Sequence, residues 1–191
     1  MILTRRTFAQ GLLTAWPLER VATERPPVHL SYSAGELSWP GGRTRAACGR
    51  GGVRPDTREG DGATPAGEFP LLVAMYRPDR MPAPETGLPV KPLQRSHGWV
   101  DDPKDRNYNQ LVTLPYPAHV EEMWRSDGLY DLLVVIGYNT ERVRPGAGSA
   151  IFLHVARPNF SGTDGCIAIA RDRLVEVVRL LGPGSLINIR S

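Results

Sequence analysis

Apolar residues in this chain fall into short blocks separated by polar stretches rich in glycine and proline. Leu132 to Tyr138 (Leu-Leu-Val-Val-Ile-Gly-Tyr) and Ser149 to Val155 are the densest blocks. Their length and branched side chains predict strands buried on both faces. Phe69 to Tyr76 predicts a third. Val28 to Ser33 alternates partially, and Glu36 to Trp39 is its expected partner across a turn. Asn109 to Leu114 and Leu186 to Ile189 complete the strand set. Helical spacing is clear over Arg171 to Leu181, where Leu174, Val177, Val178 and Leu181 share a face. Asp172 suits its first turn, and Gly182-Pro-Gly184 stops it. His119 to Ser126 predicts a second, brief helix, because Val120, Met123 and Trp124 fall near one side.

The intervals carry as much information as the blocks. Residues 49–67 read as a long polar loop and residues 77–98 as an irregular, proline-rich one. The chain has 20 glycines and 18 prolines among 191 residues, which favours strands and loops over a helical bundle. Long connections of this kind carry function or move. An apolar fraction of 41% supplies a real core. The expectation is a mostly β protein with one domain over residues 27–191, preceded by a distinct segment over 1–26. In that segment Thr4-Arg-Arg-Thr-Phe8 looks like a twin-arginine export signal. The apolar stretch behind it, Gly11 to Trp16, is short and is interrupted by Pro17, Glu19 and Arg20. Export is expected, with residence in the periplasm or cell envelope. No run reaches the 18 or so apolar residues a bilayer span needs, so no integral membrane segment is expected.

Charge narrows the partners. Lys and Arg total 23 against 20 Asp and Glu, a net +3, and the basic residues are scattered. Nothing resembles a dense tract for nucleic-acid phosphates. Gly49-x-Gly-Gly52 lacks the Gly-Lys-Ser/Thr ending of a phosphate loop. Asp101, Asp102 and Asp105 lack the regular ligand positions and closing glutamate of a calcium loop. His29, His97, His119 and Cys48 have no metal-ligand spacing. Neither a metal nor another cofactor is expected. Two cysteines, Cys48 and Cys166, are too few for a disulfide framework.

The chemistry concentrates in His154-Val-Ala-Arg-Pro-Asn-Phe-Ser-Gly-Thr-Asp-Gly-Cys166. A histidine ends an apolar block and a cysteine follows a compact turn. A thiol becomes a nucleophile when a nearby imidazole takes or holds its proton. Gly165 can adopt angles closed to other residues. The Gly165 and Cys166 backbone N–H groups could then face a developing oxyanion. The same two side chains read equally as a small core thiol and a satisfied edge histidine. A nucleophilic Cys166 must be free, which argues against its bridging Cys48.

Two motifs in order weight the balance. Thr163-Asp164-Gly165-Cys166-Ile167 after His154, and Gly60-Asp-Gly-Ala-Thr-Pro-Ala-Gly-Glu-Phe69 upstream, resemble the YkuD-like L,D-transpeptidase catalytic domain. Gly137-Tyr-Asn139 and Pro145 to His154 fit the version with an extended front loop. The resemblance covers residues 28–190. It implies a β-sandwich or partly open barrel with short helices and long active-site loops. It implies Cys166 as nucleophile, His154 as general base, and oxyanion donors from Gly165 and Cys166. Tyr138, Thr163, Asp164, Trp99 and Tyr108 become candidate substrate-binding residues. The implied partner is a peptidoglycan stem peptide, and the implied reaction is L,D cross-linking through a thioester. Two alternatives stand beside it: an L,D-carboxypeptidase or other cysteine amidase, and a non-catalytic cell-wall binding protein. Two departures bear on them. Many family members have His where this chain has Asp164, and Arg where it has Ala168.

Overall fold

The computed structural model describes residues 25–191. The segment with the paired arginines, residues 1–24, lies outside the described residues. In chain order the strands are β1 (His29–Ser33), β2 (Glu36–Trp39), β3 (Gly42–Ala47), β4 (Val53–Arg54), β5 (Thr64–Pro65), β6 (Gly67–Tyr76) and β7 (Val90–Pro92). There follow β8 (His97–Val100), β9 (Leu111–Thr113), β10 (Val120–Glu122), β11 (Leu132–Ile136), β12 (Phe152–Val155), β13 (Ile167–Ile169) and β14 (Leu186–Ile189), with helix α1 (Arg171–Leu180) between the last two.

Eight strands close on themselves in the order β11-β12-β13-β3-β2-β1-β14-β6, and β6 returns to β11. Closure leaves no unpaired edge in the ring. Strand β7 adds outside it, parallel to β6. The mostly β expectation thus resolves into a closed barrel, with one helix among the described residues. Residue alternation explains the inside. Leu30, Leu37, Leu71, Ile136, Leu153, Ile167 and Ile187 come from different strands of the ring and share one buried cluster. Leu174, Val177 and Val178 of α1 join it, which is why that helix shows a clean apolar stripe.

A second cluster lies on the other face of the same strands. Leu133 and Val135 of β11, Phe152 of β12 and Met75 of β6 meet Trp99, Met123, Leu129 and Tyr130. The dense block at Leu132 therefore needs no polar face. The covering layer comes from the connection between β6 and β11. That connection holds a three-stranded antiparallel sheet, β10-β8-β9.

The structure corrects the second helix. Residues 120–122 form β10, with Val120 opposite Val100, Glu121 opposite Trp99 and Glu122 opposite Gly98. The spacing of Val120, Met123 and Trp124 mimics a helical face. Its backbone groups instead pair with a strand some twenty positions away, an interaction no local window contains. Strand β3 also escapes the pattern, because Pro40-Gly41-Gly42 reads as punctuation and Arg43 and Arg45 break the apolar signal. Its alternating half-buried and exposed positions still pair fully with β2. The polar 49–67 stretch and the proline-rich 77–98 stretch are less irregular than expected. They hold the short parallel pair β4–β5 and strand β7.

Candidate active site

Strands β12 and β13 run parallel, with His154 opposite Ala168 and Leu153 opposite Ile167. Side chains two positions apart share a face. Cys166 is two positions before Ala168, so thiol and imidazole project to the same side of neighbouring strands. Both line one cleft of about 450 Å³. The other barrel face of these strands is filled by Leu153, Ile167 and Ile169.

The turn carrying Cys166 is held from two directions. Thr163 Oγ1 donates to the Cys166 carbonyl at 2.6 Å and accepts from Gly165 N–H at 3.2 Å. The Gly165 donor is thus engaged within the turn in this resting form. Gly165 has φ +128°, and a Cβ there would sit 2.9 Å from the Ala63 carbonyl oxygen. Only glycine meets both demands. The upstream motif supplies the other hold. Thr64 Oγ1 donates to the Gly165 carbonyl at 2.7 Å and accepts from Gly49 N–H at 2.8 Å. Asp61 orders that loop by accepting from the N–H groups of Arg58 and Ala63, each at 2.8 Å. The second motif therefore acts as a brace for the first.

The thiol itself is buried, 7% exposed. Sγ accepts from Phe152 N–H at 3.3 Å and lies 3.2 Å from the Ala150 carbonyl, to which the S–H donates. Ala150 holds φ +52°, a left-handed conformation that side chains rarely adopt. Asn109 stabilises this bend. Its Oδ1 accepts from Ala150 N–H at 3.0 Å and from Trp99 Nε1–H at 2.9 Å. Its Nδ2 donates to the carbonyls of Tyr138 at 3.1 Å and Asn139 at 2.8 Å. One buried amide thus ties the covering sheet to the strand beside the thiol, with all its hydrogen-bonding capacity used.

Burial pushes the Cys166 thiol well above the usual range, and the Glu121 carboxylate adds to the effect. Burial drives His154 the other way, to about 4. Both shifts favour neutral species, so the resting pair is thiol and imidazole, not an ion pair. His154 Nδ1 lies 2.8 Å from the Val155 carbonyl. A carbonyl only accepts, so Nδ1 carries the proton and Nε2 keeps its lone pair for use as a base. Tyr130 packs edge-on to the imidazole, with centroids 5.4 Å apart.

The two departures have clear physical settings. Asp164 is exposed and ion-paired with Arg50. Its charge is shared with Arg50 and solvated, and it opposes ionisation of the thiol less than Glu121 does. Ala168 is buried, opposite His154 on one neighbouring strand and Ala47 on the other. Guanidinium groups reach the cleft from elsewhere, from Arg125 and Arg157. Thr163 and Asp164 line the cleft with Cys166 and His154. Trp99, Tyr108 and Tyr138 are buried and are not among its lining residues. Trp99 packs edge-on to Phe152 at 5.1 Å. Tyr108 donates to Glu59, which does line the cleft. Tyr138 donates to the Ala147 carbonyl at 2.7 Å. The acidic loop is likewise internal in its bonding: Asp102 and Asp105 accept from the N–H groups of Lys104 and Asn107.

Glu121, Arg125 and Tyr130 were not legible as site residues. No motif marks them; β10 brings Glu121 to the cleft through its pairing with β8, and Arg125 and Tyr130 follow on the connection to β11. Cys48 and Cys166 are both free.

A closed β barrel with a cysteine and a histidine in one cleft defines a class of candidate thiol enzymes. Comparison with known proteins is more specific. The YkuD family, the L,D-transpeptidase catalytic domain, matches residues 30–189, and the chain belongs to that family. No curated protein matches the sequence. Among solved structures, the chain is similar to Mycobacterium tuberculosis L,D-transpeptidase 1, with 13% identity and a TM-score of 0.39 over 87% of this chain. The match spans 62% of that protein's solved chain.

Proposed function

We propose that the chain catalyses cysteine-dependent acyl transfer on peptidoglycan stem peptides, forming L,D cross-links through a thioester. The observation that carries this reading is the shared cleft of Cys166 and His154, with the imidazole Nδ1 held by the Val155 carbonyl. In the proposed acylation Sγ attacks the carbonyl joining an L residue to a D residue as its proton passes to His154 Nε2. The C–N bond breaks and His154 returns that proton to the departing D-amino acid. Because the resting thiol is neutral, proton transfer and attack are coupled, and no standing thiolate is required. Cys166 N–H, and Gly165 N–H once released from Thr163, are the proposed oxyanion donors.

The test is mass spectrometry of the protein after incubation with a tetrapeptide muropeptide. An acyl adduct on Cys166 is expected, and Cys166→Ala is expected to lose adduct and turnover by more than about 10³-fold. A fully active Cys166→Ala protein would overturn the mechanism. Export to the periplasm or envelope through Arg5 and Arg6 is part of the same proposal. Replacing both with lysine should retain a reporter fusion inside the cell. Among the described residues no helix is long and apolar enough to cross a membrane.

A further inference from the structure

Resting on that reading, we infer that Glu121 binds the incoming acyl acceptor as an ammonium ion, so that the cleft selects an amine over water. Glu121 lines the same cleft as Cys166 and His154, and 28% of its side chain is exposed. It is therefore reachable by a ligand. Its Oε1 accepts from the hydroxyl of Tyr130, which is otherwise buried against His154 and Phe152. The carboxylate is thus fixed beside the reacting pair.

Among the described residues one cation, Arg125, comes within ion-pair reach of Glu121, and that cation is shared with another carboxylate. Asp164 is taken by Arg50, and Asp101 sits 2.5 Å from His119 Nδ1. Arg125 approaches Glu121 only to 3.8 Å, while gripping Asp127 at 2.5 Å. Glu59 accepts from Tyr108 and from Ser149 at 2.7 Å, through the same oxygen. Of the cleft carboxylates, Glu121 acts most strongly on the Cys166 thiol, and it opposes ionisation of that thiol. A negative charge in that place hinders the first half of the reaction. Once Cys166 is a neutral thioester, that penalty vanishes and the same charge attracts a cation.

The bound ammonium gives one proton to the Glu121 carboxylate, and the neutral nitrogen attacks the thioester carbonyl. Its second proton passes to His154 Nε2 and on to Sγ as the C–S bond breaks. An amide with one N–H, a thiol and a Glu121 carboxylic acid remain, and the acid releases its proton to solvent. Burial raises the Glu121 carboxyl, which suits it to take that proton.

The experiment measures acylation and the partition of the thioester between a diamino acid acceptor and water. Glu121→Gln keeps the acceptor oxygen for Tyr130 but removes the charge. It should leave the Cys166 adduct forming at least as fast. The amide-to-acid product ratio should fall at least tenfold, through a higher KM for the amine, and Glu121→Asp should restore part of it. With methoxyamine, which is uncharged at neutral pH, wild type and Glu121→Gln should give the same ratio. An unchanged ratio with the charged amine, an equal loss with methoxyamine, or loss of acylation in Glu121→Gln each overturns the inference. Absence of an adduct in the wild type overturns the acyl-transfer reading instead.

Discussion

The two walls of the cleft are built on opposite principles. One is barrel: β12 and β13 pair directly, bury both faces, and place His154 and Cys166 two rungs apart on one ladder. The other is the sheet β10-β8-β9, held to the barrel by Trp99, Met123 and Asn109 and presenting Glu121 and the neighbouring Arg125 to the cavity. The barrel wall suppresses charge, keeping thiol and imidazole neutral. The inserted wall supplies it. Reactive groups thus sit where backbone pairing fixes them tightly, and recognition groups sit on a connection that can vary without disturbing the ring.

The sharpest way to separate the walls is at the nucleophile turn. Gly165→Ala forces a Cβ toward the Ala63 carbonyl and shifts the thiol. Acylation should slow about 10²-fold, the usual effect of an ångström-scale misplacement. Stability should fall by about 1–3 kcal/mol. Adduct formation in stopped-time mass spectrometry and a urea melt measure the two. A normal acylation rate would mean that the brace from Thr64 does not govern the thiol.

Asn109→Ala tests the strut between the walls. It leaves Ala150 N–H and Trp99 Nε1–H without their acceptor. The loss should be about 3 kcal/mol, from two unpaired buried donors. Hydrogen exchange should rise first in residues 97–122 and leave β12 and β13 protected. Uniform loss of protection would show that the two walls unfold as one.

Acid tests the barrel wall through His154. His154 is held at about 4 in the folded protein, against roughly 6.5 when unfolded. Between those values the unfolded chain binds the extra proton. Stability is therefore complete above pH about 6.5 and is lost as pH falls through 4, by up to about 3 kcal/mol. Urea melts across this window should show the slope, and His154→Gln should reduce it, leaving the part that buried His97 contributes.

The smallest effect belongs to Asp164. Its carboxylate and the Arg50 guanidinium are both exposed. Asp164→Asn should change stability by less than about 1 kcal/mol. Acylation should change less than threefold, because the charge is exposed and already paired with Arg50. A large gain in rate would show that this carboxylate suppresses the thiol in solution.

Much of the fold was legible where burial is strong and local. The blocks at Leu132, Ser149 and Phe69 became strands, and the Leu174 stripe became α1, because each pattern reports the face its own backbone must bury. Strand β10 mimics a helical face and β3 carries no clear apolar signal, since their identities depend on pairing partners outside the local pattern. The placement of Cys166 and His154 in one cleft was foreshadowed by the paired motifs. The roles of Trp99 and Asn109 were not, because a buried strut and a cleft-lining group have the same composition.

The residue pattern alone carries the β-rich class, the late helix, the family and the pair of residues on which chemistry could rest. It could do so because apolar periodicity and a glycine-bounded cysteine are local signals. Three-dimensional packing settles the rest: the barrel closes, the Thr64 loop braces the nucleophile turn, and Glu121 and Arg125 line the cleft with the thiol. Those outcomes follow from strand pairings and desolvation between distant segments, and such energies exist only once the chain has folded.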